Sequence, residues 1–508
     1  MISAAEWPQT TFLLVYFVTL ALLVVYGLHR YQLTWLYRKH KRDAPPAGNL
    51  LPDLPVVTVQ LPLFNERYVA PRLLESIRRL DYPRDRLEVQ VLDDSTDDTP
   101  HTLEPVIARM RAEGFDIHHL RRTDRHGYKA GALTAGLAQA RGEFIAIFDA
   151  DFVPKPDFLR QLLPYFHDAK VGMAQARWGY LNDDYSLLTK LQSIYLDAHF
   201  IIEHLARNRS GRFFNFNGTA GVWRRSCLVS AGGWQSDTLT EDLDISYRAQ
   251  LRGWKFVFAP EVIAPSELPA EMTSFRQQQH RWAKGSVQVA RKLLREILAS
   301  RHPWKVKVEA WFHLTNNFAF LLMAFFSLAL LPSMLLRRQL GWETSAWLEL
   351  AIFVLATPSA VLFYMTSQRA TKRSGWRSLM YVPLLMALGT GLALNNSRAV
   401  LEALFGRRVE FKRTPKHGME GRAGTWTDKI YTGRLDFVVL GELTMAVYFA
   451  VAVHFALTRG LYLAVPFLLI FLSGFLFVSL MSLWQAGERH WRFRNAPSAR
   501  HAAAMGNP

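Results

Sequence analysis

Apolar residues recur on two scales along this chain. On the longer scale they form uncharged runs. Residues 7–28 carry no charge and are long enough to cross a bilayer. Further uncharged runs follow at 314–336, 350–368, 378–397, on either side of Glu442, and at 460–487. Between them, from about 56 to 270, short apolar runs of strand length alternate with segments of helical period. The pattern predicts strands at 56–64, 87–92, 115–120 and 143–149, with helices at 69–80, 99–113 and 129–140. Further strands are expected at 171–178 and 255–259, and one long helix at 188–208. Strands alternating with helices imply a doubly wound, mostly parallel α/β sheet. After Phe275 the pattern turns amphipathic and basic, as suits helices lying on a membrane surface.

Charge orients the long runs. The cluster Arg38-Lys39-His40-Lys41-Arg42 comes after the first run, which places the N-terminus outside and residue 30 onward in the cytosol. The run 378–397 is interrupted by Pro383, Gly389, Gly391, Asn395 and Asn396. If it crossed, the basic segment 407–429 and the basic tail 489–494 would both lie outside. It therefore reads as re-entrant or interfacial. That leaves five spans, near 8–30, 311–336, 347–367, 436–458 and 460–485, with the C-terminus inside. The expected organisation is an N-terminal span with basic flank (1–48), a cytosolic α/β domain (49–270), interfacial helices (271–310), two spans with the re-entrant segment (311–396), a cytosolic loop (397–434), and two spans with a basic tail (435–508). A Pro-rich linker at 45–55 joins the first two.

Composition agrees with that segregation. Half of the 508 residues are hydrophobic, yet 20% are charged, and the net charge is +17. Basic clusters sit beside apolar runs, including Arg337-Arg338 and Arg407-Arg408, so lipid headgroups explain them better than nucleic acid. Cys227 is the only cysteine, which excludes an intrachain disulfide.

Candidate chemistry gathers at strand ends. The apolar run ending at 149–151 closes in Asp149-Ala150-Asp151, two carboxylates aimed to one side if the chain stays extended. Open α/β sheets bind ligands beyond the carboxyl ends of their strands, and a carboxylate pair there suits a divalent ion on a diphosphate. Alone, such a pair is equally an acidic turn. It is not alone: Asn65-Glu66 follows the first strand, Asp93-Asp94 the second, Thr240-Glu241-Asp242 lies beyond the sheet, and Gln278-Gln279-His280-Arg281-Trp282 opens the amphipathic region. No His/Cys cluster has zinc-ligand spacing, and His118-His119 read as surface residues. Tyr195, His199 and Glu203 share a helix face, where packing with one hydrogen-bonded polar residue is the simpler reading than catalysis.

Together these motifs resemble an inverting family 2 glycosyltransferase of the membrane-embedded, processive, cellulose-synthase-like type, over about residues 50–430. The matching set is Asp94, Asp149/Asp151, Thr240-Glu241-Asp242 and Gln278…Arg281-Trp282. Phe216-Asn217-Gly218-Thr219-Ala220-Gly221 and Ser266-Glu267-Leu268-Pro269 look closest to mannan synthases and xyloglucan-backbone glucan synthases. Phe411-Lys412-Arg413-Thr414-Pro415-Lys416 resembles the cellulose-synthase gating loop FxVTxK, with Arg413 in place of Val.

The resemblance implies a GT-A domain joined to transmembrane and interfacial helices. It implies Asp242, with Glu241, as catalytic; Asn65, Glu66, Asp93, Asp94, Lys129, Asp149, Gln278, Arg281, Thr414 and Lys416 as nucleotide-sugar ligands; Asn217, Gly218, Thr219 and Trp282 along the acceptor path; and Asp149 with Asp151 as ligands to Mg²⁺ or Mn²⁺. It further implies a processive β-glycan synthase in the inner or plasma membrane. Its expected donor is UDP-glucose, with GDP-mannose as the close alternative, and an accessory export subunit or a second copy is the expected partner. The rival readings are a non-processive transferase acting on a lipid acceptor and a non-catalytic export pore.

Overall fold

The computed structural model describes residues 7–49, 53–342, 346–371, 374–406, 413–427, 429 and 435–495. Phe411 and Lys412 of the loop motif, Arg407-Arg408, residues 50–52 of the Pro-rich linker and the end of the tail lie outside them.

Seven strands form one sheet: β1 (Val57–Leu63), β2 (Leu87–Asp93), β3 (Asp116–Arg121), β4 (Phe144–Ile147), β5 (Val171–Tyr180), β6 (Gly221–Arg224) and β7 (Lys255–Ser266), in the order β3-β2-β1-β4-β6-β5-β7. All pairs are parallel except those of β6, which runs antiparallel to both β4 and β5. The register pairs Leu63 with Asp93 and Gln60 with Ile147. The carboxyl ends of β1, β2 and β4, with the acidic residues that follow them, therefore share one edge. Pro62 lies beyond the last β1–β4 pair, so it removes no N–H from that ladder.

Helices cover both faces. One core holds Val59, Leu73, Val91, Ile107, Phe148 and Phe158. The other runs from Leu133, Ile145 and Met173 through Leu188, Ile194 and Phe200 to Phe363, Leu388 and Val478 of the apolar helices, without a break. The sheet is thus fixed to the membrane-type helices by a continuous apolar contact.

Three sequence expectations change. The helix expected at 188–208 is three pieces: Leu187–Ala198, a π-helical turn at His199–His204, and Leu205–Arg209. The strand β6 was not foreseen. The last sheet strand, expected to end at Ala259, continues to Ser266.

Among the described residues, four helices are long and apolar enough to cross a membrane: Trp7–His40, Phe318–Gln339, Val438–Thr458 and Tyr462–Arg492. The helix Ala346–Ala370 has 25 residues. The interrupted run forms a pair, Trp376–Gly391 and Ala393–Leu404, bent by 44°. Where this pair meets the last helix, two glycines touch. A Cβ on Gly474 would stand 2.3 Å from the Ala387 carbonyl oxygen, and one on Gly391 2.4 Å from that of Gly474. Gly474→Val is therefore expected to push the helices apart at a cost above ~2 kcal/mol, read as loss of the monodisperse peak on gel filtration in detergent. Unchanged elution would show that the crossing has slack.

Candidate active site

One cavity opens at the carboxyl edge of the sheet. Asp149 and Asp151 enter it from the turn after β4, and Asp94 from the end of β2. The backbone N–H of Asp149 donates to Thr219 Oγ1 (2.9 Å), which fixes the turn. Asp149 accepts from Lys129 Nζ at 2.5 Å, and Asp151 from Lys416 Nζ at 2.7 Å. Lys129 begins the helix Tyr128–Gln139 and also donates to the Gly218 carbonyl (2.9 Å). Burial would lower its pKa, but Asp149, Glu241 and Asp242 outweigh burial and raise it. Two all-oxygen carboxylates that already gather cationic charge fit a hard divalent ion such as Mg²⁺ or Mn²⁺.

Asp242 comes from the far wall. The helix Glu241–Leu251 starts there, so Glu241 and Asp242 occupy its first turn, where the exposed N–H groups favour carboxylates. Asp242 Oδ1 accepts from the Leu243 N–H (2.8 Å). Burial first, and the neighbouring Glu241 second, push the Asp242 pKa up to about 7; burial also raises that of Glu241. A pKa near neutrality suits a general base.

The third wall is the helix Met272–Ala299, which presents Gln278, Arg281 and Trp282 to the cavity. It is braced behind by ion pairs of Arg276 with Glu442 (3.0 Å) and Lys284 with Glu402 (3.0 Å). Burial lowers the pKa of Arg281, against the pull of Glu241, Asp149, Asp242 and Asp151. Glu66, partly buried and paired with Arg413 (3.5 Å), has its pKa pushed up to about 8 by burial. Thr414 also lines the cavity; its buried Oγ1 has no partner among the described residues.

The other nominated residues stand behind these. Asp93 turns from the cavity: it accepts from the Ser95 N–H (2.9 Å) and pairs with His119 (2.9 Å). Burial would raise its pKa, but these contacts outweigh it and lower it. Asp93 therefore shapes the turn that presents Asp94, and His119, read from sequence as a surface residue, is its partner. Asn65 sits with a left-handed φ of 56° and accepts from the Thr96 N–H (2.8 Å), joining the β1 and β2 turns. Thr219 orients Asp149 through the turn N–H. Asn217 and Gly218 do line the cavity.

Asn217 is held between two imidazoles. It donates to His199 Nε2 (3.1 Å) and accepts at Oδ1 from His204 Nε2 (2.6 Å). His199 also bonds Glu203 (2.9 Å). The π-helical turn brings both histidines to Asn217, which a reading of this helix as packing with one polar residue did not anticipate.

Sequence reasoning also missed Arg122 and Gln175. Arg122 forks onto both oxygens of Asp94 and donates to the carbonyls of His126 (3.0 Å) and Tyr128 (3.1 Å), tying the Asp94 carboxylate to the turn before Lys129. Gln175, fully buried in β5, accepts from the Asn217 N–H (3.0 Å) and donates to the carbonyls of Thr219 and Ala220 (both 3.1 Å). An isolated basic or amide residue gives no local signal of such a task. Among the described residues, the His/carboxylate group close enough to hold a metal is Glu88, Asp116 and His118. It lies at the opposite end of β2 and β3, with Arg141 already paired to Asp116.

A family model described as "Glycosyltransferase like family 2" matches residues 54–285. Glucomannan 4-β-mannosyltransferase 2 of Arabidopsis thaliana is 44% identical over 264 residues, 51% of this chain and 48% of that protein. A protein named probable glucomannan 4-β-mannosyltransferase 15, also of A. thaliana, is 36% identical over 418 residues, 78% of this chain and 73% of that protein. The chain thus spans about half the length of the first of these relatives. A mannosyltransferase of Pyrobaculum calidifontis, solved in complex with GDP-Man and Mn²⁺, shares the fold with a TM-score of 0.52 at 22% identity, covering 77% of this chain and all of that one.

Proposed function

The chain belongs to glycosyltransferase family 2, and from that premise we propose that it transfers mannose from GDP-mannose, with inversion, to the non-reducing end of a growing β-linked glycan. The observation that carries this reading is the convergence on one cavity of Asp94, the Asp149/Asp151 pair, the Glu241-Asp242 helix start and Gln278-Arg281-Trp282. The names of the relatives favour mannose, so the donor order drawn from sequence, UDP-glucose before GDP-mannose, is reversed.

In the proposed reaction Asp94 binds on the nucleoside side. Arg281 and Lys129 face the diphosphate, a guanidinium fork being suited to phosphate oxygens. Asp149 and Asp151 would hold Mg²⁺ or Mn²⁺, which neutralises the charge developing on the departing diphosphate. Asp242 takes the proton of the acceptor hydroxyl while that oxygen bonds to the anomeric carbon. The bond from that carbon to the diphosphate breaks on the opposite face, and GDP leaves with the electron pair. One protein base suffices for such a single displacement. Trp282 offers a face on which the terminal acceptor sugar stacks, and Asn217 is fixed by its two histidines to bind a sugar hydroxyl.

The apolar helices support a membrane enzyme. We assign the α/β domain to the cytosol, the N-terminus to the outside and the C-terminus to the inside, with the helices passing the polymer across. Membranes given labelled GDP-mannose and UDP-glucose in parallel test the proposal. A mannose-labelled polymer cut by an endo-β-mannanase is expected. A single sugar on a chloroform-soluble lipid would overturn processive synthesis.

The pH dependence follows from Asp242. The base works ionised, and its pKa is raised to about 7. Thus kcat/KM for the donor is expected to rise with pH through about 7 and level off above it. A profile flat between pH 5.5 and 8.5 would remove Asp242 from the base role.

A further inference from the structure

Glu267 comes directly after β7 and is buried. Both its carboxylate oxygens are spent on the backbone of the loop that carries Thr414 and Lys416. Oε1 accepts from the His417 N–H (2.8 Å); Oε2 accepts from those of Gly418 (2.8 Å) and Met419 (3.1 Å). Three successive amides around one carboxylate form an anion nest, closed here across 150 residues of sequence. Gly418 has a φ of +74°, and a Cβ on it would stand 2.9 Å from the Tyr68 carbonyl oxygen. The guanidinium of Arg72, 3.7 Å from Glu267, supplies counter-charge and also bonds Glu420 (3.0 Å).

The same residue aims the loop's lysine. Lys416 Nζ donates to the Glu267 carbonyl oxygen (3.1 Å) while it reaches Asp151. Beyond the nest, Met419 and Trp426 bury against Ala270, three residues after Glu267. Carboxylate, carbonyl and apolar contact thus all draw the loop to one point on the rim.

Thr414 and Lys416 line the cavity in which the proposed function places the donor; resting on that function, we infer that Glu267 is the positioning residue that docks this loop over the donor site. The carboxylate is matched to the task. Amide bonds to a charged acceptor are stronger than those to a neutral one, and the Glu267 carboxylate accepts three of them. A carboxamide of the same shape would turn an N–H group toward a backbone N–H. A small Cβ on Gly418 would break the nest from the other side, outside the catalytic residues.

The test uses Glu267→Gln and Gly418→Ala in the full chain, purified in detergent. For both variants the donor KM is expected to rise about tenfold or more, with acceptor KM and the thermal midpoint unchanged. Without donor, trypsin is expected to cleave after the exposed Arg422 faster by a similar factor in both. Unchanged cleavage and unchanged donor KM in both variants would overturn the inference, as would a fall in kcat alone. Cleavage is read without any sugar nucleotide, so the docking role is judged even if GDP-mannose proves not to be the donor.

Discussion

Asp242→Asn is expected to lower mannosyl transfer by about 10³-fold, within the usual range for removing a general base, while GDP binding stays within about twofold. The side chain keeps its size, and its Oδ1 can still accept from the Leu243 N–H, so the helix start should survive. What is lost is the capacity to take a proton. Glu241 precedes Asp242 at the helix start and is assigned no proton transfer in the proposed reaction. Glu241→Gln should therefore cost less, and should shift the pH profile downward by removing a negative neighbour of Asp242. Initial rates on a mannan oligomer, beside GDP affinity by calorimetry, separate the two effects. Transfer surviving in Asp242→Asn at a tenth of the normal rate would move the base elsewhere.

Chelation is expected to abolish transfer, and Asp151→Asn to weaken Mn²⁺ binding by about tenfold or more while lowering the rate by about 10²-fold. The reasoning runs through the lysines. Lys129 pairs with Asp149, and Lys416 with Asp151. Neutralising one aspartate frees a lysine without restoring the ligand oxygen's charge. Mn²⁺ affinity read by electron paramagnetic resonance, in the presence of GDP, checks this apart from activity. Full activity after chelation would exclude a metal role for the pair.

The acidic clusters were legible because their signal is local. A strand-length apolar run that stops at carboxylates shows itself in ten residues, and parallel register then places several such stops on one edge. The same locality explains what was missed. The strand β6 is four residues long and is defined by its neighbours β4 and β5 rather than by its own pattern. The π-helical turn inserts between two ordinary helical pieces, so Tyr195, His199 and Glu203 keep plausible helical spacing on paper. Asp93 and Asp94 are adjacent and chemically alike; only the positions of His119 and Arg122 decide that one braces the turn and the other faces the cavity. Glu267 stood in a recognisable motif without a task, because its partners lie in a loop 150 residues on.

The lysines over the aspartates have a consequence for electroneutrality. Arg125, Lys129, Arg281, Arg413 and Lys416 stand against Asp94, Asp149, Asp151, Glu241, Asp242 and Glu267, while burial raises the pKa of Glu66. The chain as a whole carries +17, yet this cavity is close to balanced. A bare dianionic diphosphate or a lone divalent cation would upset that balance; the two arriving as one neutral complex would not. Ionic strength should then leave the donor's affinity nearly untouched.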